Sequence, residues 1–169
     1  FDFGFYRPVF DAALRHKFPI LGLNIPRDYV RAVARGGLAG LTEDQKKELA
    51  PNMSLDNKQH RQVFDALMGD HPGMSNAMMD NTYAAQVLWD ESMADTVVRH
   101  MAANKPAGNT VYVIIAGSGH IMYGQGIDYR LEKRGFGTGT IVVMTQSNTP
   151  LRVSNGIGDF VYVTPKQAS

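Results

Sequence analysis

At 169 residues the chain is long enough for one domain with a proper core, and 44% hydrophobic and 20% charged residues are ordinary values for a globular protein. A net charge of +1, with 17 Lys and Arg scattered among 16 Asp and Glu, gives no general pull toward nucleic acid or an acidic membrane surface. The lack of cysteine excludes disulfides, thiolate zinc sites and cysteine nucleophiles, and no apolar run approaches the roughly 20 residues of a membrane-spanning helix.

The chain opens on Phe1-Asp2-Phe3-Gly4-Phe5-Tyr6, without an initiator Met or a targeting signal. Its aromatic and apolar residues look like the interior of a larger protein, so the expectation is the C-terminal portion of a longer fold. The upstream half would then be cleaved, in another chain or elsewhere in a precursor. Residues 8–17 read as a helix, with Val9, Phe10, Ala13 and Leu14 at helical spacing. The almost wholly apolar run Phe18 to Asn24 suits a strand buried on both faces. Pro26 then opens a helix carrying Tyr29, Val30, Val33 and Ala34, stopped by Gly36-Gly37.

Thr42-Glu43-Asp44-Gln45 has the form of a capping box and should start a short polar helix ending near Pro51. Another helix is expected over 58–67, and the longest over 76–103. On its broad face, Met79, Tyr83, Val87, Met93, Ala94, Val97 and Met101 are joined by two polar residues, Gln86 and Asp90. Those two could clamp a ligand, cap a loop end or pair with an arginine; the structural roles are preferred. Thr110 to Ala116 is the clearest strand, followed by strands over 140–145 and 159–164 with a loop between them. The alternation predicts an α/β fold, a mostly parallel sheet flanked by helices, as one domain over 1–169.

Ligands of open parallel sheets bind beyond the carboxyl ends of the strands. Two loops leave such ends here, Asn24-Ile25-Pro26-Arg27 and Gly117-Ser118-Gly119-His120. The second runs on through Ile121, Met122, Tyr123, Gly124, Gln125 and Gly126 to Tyr129 and Arg130, and four glycines let its backbone approach a ligand closely. His120, Met122, Tyr123, Tyr129 and Arg130 can each bind a metal, a haem or an anionic group. Arg27 and Arg130 could hold carboxylates such as haem propionates through two parallel hydrogen bonds, although a surface arginine is usually just solvated.

Other chemistries fit less well. Gly117-Ser118-Gly119 lacks both the dinucleotide fingerprint and the Walker A pattern. Ser118 is not in a nucleophile elbow. Met74, Met78 and Met79 beyond His71 could suggest soft copper ligation, but methionines commonly fill helix faces and core gaps.

Four segments in order resemble one family. Ala116 to Ile127 is similar to the G-x-G-H-x-x-Y-G-x-G-I-P signature of ChaN-like haem-binding proteins, followed here by Arg130 and Leu131. Asp128 stands where that signature has its proline. Asn24-Ile25-Pro26-Arg27 resembles the family's N-x-P-R loop, and Gln86 to Ala94 its Q-x-x-x-D-x-x-M-A helix. Asp159 to Thr164 resembles its closing A-D-Y-V strand, with Gly158 in place of alanine.

The resemblance implies haem bound at the bacterial cell envelope, in the periplasm or at the outer membrane, often in cofacial pairs across a homodimer and linked to iron uptake. A lipoprotein signal would belong to an upstream region. Tyr123 and His120 carry over as iron ligands, with His71 a third candidate and Asn24, Arg27, Met122 and Arg130 around the cofactor. Family members also carry an upstream G-E-x-H motif, which this sequence lacks. The same wider group contains Tiki-type metal-dependent proteases. The alternatives are therefore a divalent-metal hydrolase with His120 as one ligand, or an accessory subunit of a larger envelope complex without turnover.

Overall fold

The computed structural model describes residues 3–69, 73–137 and 139–166. Six α-helices carry most of its ordered backbone: α1 Arg7–Arg15, α2 Arg27–Gly36, α3 Glu43–Lys47, α4 Lys58–Met68, α5 Asn76–Asn104 and α6 Ile127–Lys133. Two strands, β1 Val142–Gln146 and β2 Phe160–Thr164, form a two-stranded parallel sheet with Val143 opposite Val161.

The helix ends follow local chemistry. Thr42 caps α3 by accepting a hydrogen bond from the Gln45 amide, and the Gln45 side chain accepts one from the Thr42 amide, completing the predicted capping box. Asn57 caps α4 through the His60 amide, and Ser75 caps α5 through the Met78 amide. Glycines in the left-handed region follow α2 and α4: Gly37 with φ 63° and Gly69 with φ 62°.

Helix α5 is the axis of the molecule. Most of its residues from Tyr83 to Val97 are buried, on every side of the helix, so it is wrapped by other elements rather than lying on a surface. On one side Ala84, Ala85 and Leu88 pack against Val30, Val33 and Leu41. The alanines let α2 come close, and burying Val33 and Leu88 fully contributes about 1.5–3 kcal/mol each. On a second side Tyr83 and Val87 meet Phe64 of α4. On a third, Met93 and Ala94 meet Ile127 of α6, with Leu23, Ile114 and Ala116 packed around them.

The sheet is smaller than the sequence predicts. The two runs expected as buried strands, 18–24 and 110–116, form neither helix nor strand, and no strand ladder pairs them among the described residues. A strand is stable only when its backbone groups find partners. Here Val111 and Val113 are 83% and 81% exposed, while Ile114 and Ala116 reach the Met93 cluster. Apolar content thus predicted two strands that do not form among the described residues. The last two strands form as expected, one or two residues displaced at their ends. No helix among the described residues is long and apolar enough to cross a membrane.

Candidate functional site

The site begins at Gly117, where the run 110–116 ends. Leu23 and Ala116 pack against the same Met93–Ala94–Ile127 cluster, so the loops beginning at Asn24 and Gly117 both leave from that cluster. From Gly117 the chain makes two 3-10 turns, Ser118–His120 and Met122–Gly124, and enters α6 at Ile127. Gly126 lets this tight path close: a Cβ there would overlap the His120 carbonyl.

Tyr123 lies inside this loop with φ 60° and ψ 13°. A bulky residue in the left-handed region costs roughly 1–3 kcal/mol and persists only where its surroundings impose it. Here they do. The Tyr123 amide donates to the Ile157 carbonyl at 3.0 Å, and the Tyr123 carbonyl accepts from Gln125 Nε2 at 3.2 Å. Gln125 is held in turn by Asn57 Nδ2 at 3.1 Å.

His120 is fixed from below by α5. Its Nδ1 lies 2.6 Å from Asp90 Oδ1 and 2.9 Å from Gln86 Nε2, which also donates to the Gly119 carbonyl at 3.2 Å. The amide of Gln86 has its acceptor in Gly119, so the Nδ1 proton belongs to the shorter contact with the carboxylate. That tautomer leaves Nε2 as a free lone pair. Trp89 packs edge-on against the imidazole at 5.7 Å, and the His120 side chain is 20% exposed.

Beneath His120 is a buried polar cluster. Asp90 is wholly buried, and its Oδ2 faces His60 Nε2 at 3.3 Å and Arg130 Nη1 at 3.7 Å. His60 is buried on α4, with its Nδ1 3.4 Å from both the Arg130 guanidinium and the Tyr83 hydroxyl. A guanidinium only donates, so His60 Nδ1 accepts and Nε2 carries the ring proton, near Asp90 Oδ2 but without a hydrogen bond to it. Burial, helped by the Arg130 charge, lowers the His60 pKa to about 4, so the ring is neutral near pH 7. Burial pushes Asp90 upward, opposed by its hydrogen bond with His120 and the nearby Arg130. Between a donor on Oδ1 and the arginine near Oδ2, we assign Asp90 as the carboxylate. Further out, Arg130 Nε lies 3.3 Å from Glu91 Oε1, and Arg134 closes the chain at 2.6 Å from Glu91 Oε2.

A small cavity of about 200 Å³ opens beside this cluster. Val63, Phe64, Leu67 and Met68 of α4 form its apolar wall, and His60, Gln86 and Gly119 its polar side.

The structure distributes the sequence-predicted residues unevenly. His120 and Tyr123 lie in one continuous loop, with partly buried Met122 between them. Arg130, read from sequence as a solvent-facing anion binder, is 1% exposed and spends Nη1 on the carbonyls of Gln125 and Gly126, at 2.9 and 2.8 Å. Arg27 and Asn24 are both exposed, Arg27 at the first turn of α2. His71 lies outside the described residues.

Two residues were undervalued and one was missed. Gln86 and Asp90, assigned general structural roles, meet His120 directly. Their signal was visible as two polar side chains on the apolar face of α5. His60 had no comparable signal, because only the fold carries α4 onto α5.

Asp128, which replaces the expected proline, accepts a hydrogen bond from the Gly139 amide at 3.0 Å and so ties α6 to the segment leading into β1. Among the described residues, no three His, Asp or Glu side chains converge as a metal-holding set.

The profile of the family described as haem-binding uptake, Tiki superfamily, ChaN matches residues 1–131. The chain belongs to that family. The matched span takes in α1 to α5, the loop bearing His120 and Tyr123, and α6 as far as Leu131. Searches of curated proteins and of solved structures found no match.

Proposed function

We propose that this chain binds haem and serves haem or iron uptake at the bacterial cell envelope, with His120 Nε2 and the Tyr123 phenol as the iron-ligating groups. The observation that carries this reading is the His120–Asp90 pair. A carboxylate on Nδ1 fixes the ring, selects the tautomer that frees Nε2, and makes that nitrogen a better donor. A phenol and an imidazole both suit ferric haem iron. They stand three positions apart in a loop whose backbone is strained at Tyr123. The apolar wall of the α4 cavity supports the same reading, since it offers a porphyrin edge a non-polar surface next to Gln86 and Gly119. When bound, haem would supply the iron to be carried or handed on. The protein residues orient it and exclude water.

This reading includes three further proposals. The chain acts in the periplasm or at the outer membrane, it pairs as a homodimer around haem, and the apolar runs 18–24 and 110–116 join a larger parallel sheet. Arg27 and Asn24, exposed at the first loop, are available to a propionate. Arg130 is not, being committed inside.

The deciding experiment is a haem titration followed by visible spectroscopy. A saturable Soret change in the unsubstituted protein that alters in Tyr123→Phe and in His120→Ala supports both the function and the ligands. Absence of binding removes the haem reading. An unchanged spectrum in Tyr123→Phe removes Tyr123 as ligand.

A second reading, a Tiki-type hydrolase using a divalent metal, is favoured by the same His120–Asp90 pair, because metal-bound histidines are also held by carboxylates. It needs additional ligands to join His120. Stoichiometric zinc or manganese retained through gel filtration, together with peptide cleavage lost in His120→Ala, would support it over haem.

A further inference from the structure

The haem reading leaves unexplained why an arginine is buried beneath the site. We propose that Arg130 is a positioning residue that holds His120 and Tyr123, the two groups assigned to iron, in one fixed spatial relation; as an account of ligand placement it rests on the haem reading. On one side Arg130 Nη1 donates to the carbonyls of Gln125 and Gly126 at 2.9 and 2.8 Å. These residues end the loop that carries Tyr123, and the Gln125 side chain holds the Tyr123 carbonyl at 3.2 Å. On the other side Nη1 lies 3.7 Å from Asp90 Oδ2, while Asp90 Oδ1 holds His120 Nδ1 at 2.6 Å. Nη2 meets His60 Nδ1 at 3.4 Å, and His60 Nε2 lies 3.3 Å from Asp90 Oδ2, an oxygen with no hydrogen-bond partner of its own.

One rigid planar cation therefore touches the loop of one ligand and the support of the other. Gly126, whose backbone passes directly against the His120 carbonyl, keeps the two halves within its reach. The fork of a guanidinium is needed for this: a lysine ammonium is a single point charge and cannot reproduce the paired, planar contacts. The burial of Arg130 at 1% exposure means that no solvent contact competes for its donors.

The test uses proton NMR of the haem-free protein together with haem spectroscopy. Arg130→Lys should shift both the His120 Nδ1 proton and the Tyr123 amide, weaken haem binding about 10–100-fold, and change the spectrum of the haem that still binds. Arg134→Lys, one helical turn further on, should leave both proton signals in place. Parental positions for both signals in Arg130→Lys, or movement of only one of them, would overturn the proposal. Weaker binding with an unaltered haem spectrum would also do so, since it indicates general loosening. Should Arg130→Lys fail to fold, the isosteric Asp90→Asn serves: disturbance introduced at the His120 side must reach the Tyr123 amide, and a stationary Tyr123 signal overturns the link. If the unsubstituted protein binds no haem, the haem reading fails, while the proton signals still decide whether Arg130 couples the two residues.

Discussion

His60 and His120 stand on opposite oxygens of a single buried carboxylate, with His120 Nδ1 2.6 Å from Asp90 Oδ1 and His60 Nε2 3.3 Å from Asp90 Oδ2. The two rings differ in environment. His120 reaches solvent with one-fifth of its side chain, whereas His60 is sealed under α4 and α5 beside Arg130. One can meet a ligand, and the other stays inside, beside the carboxylate that orients its neighbour. The expectations below follow from that division.

Asp90→Ala should be the most damaging substitution near the site. It removes the acceptor of His120 and leaves Arg130 buried beside a vacated position, which costs about 3–5 kcal/mol for a broken buried pair. The loss is read as a fall in the urea midpoint. Asp90→Asn keeps the shape and should instead lower haem affinity about 10–100-fold, as the loss of an orienting partner does. A parental affinity in Asp90→Asn would show that the carboxylate does not prepare His120.

Stability should depend on pH through His60. Its folded pKa, about 4, lies below the unfolded value of 6.5, so between those limits the unfolded chain binds more protons. The contribution of neutral His60 is fully present above pH 6.5 and is lost as pH falls toward 4, to the extent of about 3 kcal/mol. Asp90 acts in the opposite sense, because burial raises its folded pKa, and acidification relieves that cost. The clean measurement is therefore the difference between the parent and His60→Gln in urea unfolding at pH 4.5 and pH 7. The variant should lose less stability on acidification, and equal losses would contradict the neutral assignment of His60.

Gly126→Ala should disturb the site without touching a polar group. The new methyl would meet the His120 carbonyl, and the backbone must move to admit it. Overpacking of this kind costs about 1–3 kcal/mol, measured as a lower thermal midpoint. Haem binding should weaken in parallel, because His120 and Tyr123 sit on either side of that contact. A fully stable variant with parental binding would mean the loop opens freely.

Thr42→Ala provides a local contrast. It deletes the cap of α3 and the hydrogen bond to the Gln45 amide, so about 1 kcal/mol of stability should be lost. Haem binding should be unaffected.

Much of the scaffold could be read from the sequence because its signals are local. The capping box at Thr42, the glycine stops after α2 and α4, and the 3.6-residue periodicity of α5 depend only on neighbouring residues, and α1 to α5 formed within a few residues of their expected places, whereas α6 was not among the expected helices. The order of motifs from Asn24 to Thr164 likewise carried the family resemblance. The loop at His120 and Tyr123 was singled out by its glycines before any contact was known.

Tertiary structure decided what those residues meet. Whether an apolar run such as Thr110 to Ala116 becomes a paired strand depends on the strands beside it, which the run itself does not specify. Whether an arginine serves the solvent or the interior is equally non-local: Arg130 looked like an anion binder until α6 turned it beneath α5 onto two carbonyls. His60 lies thirty residues before Asp90 in the chain, and no spacing rule joins them. They meet because the apolar contacts of Phe64, Tyr83 and Val87 dock α4 on α5, and hydrophobic packing is non-directional, fixed by the whole fold rather than by any one segment.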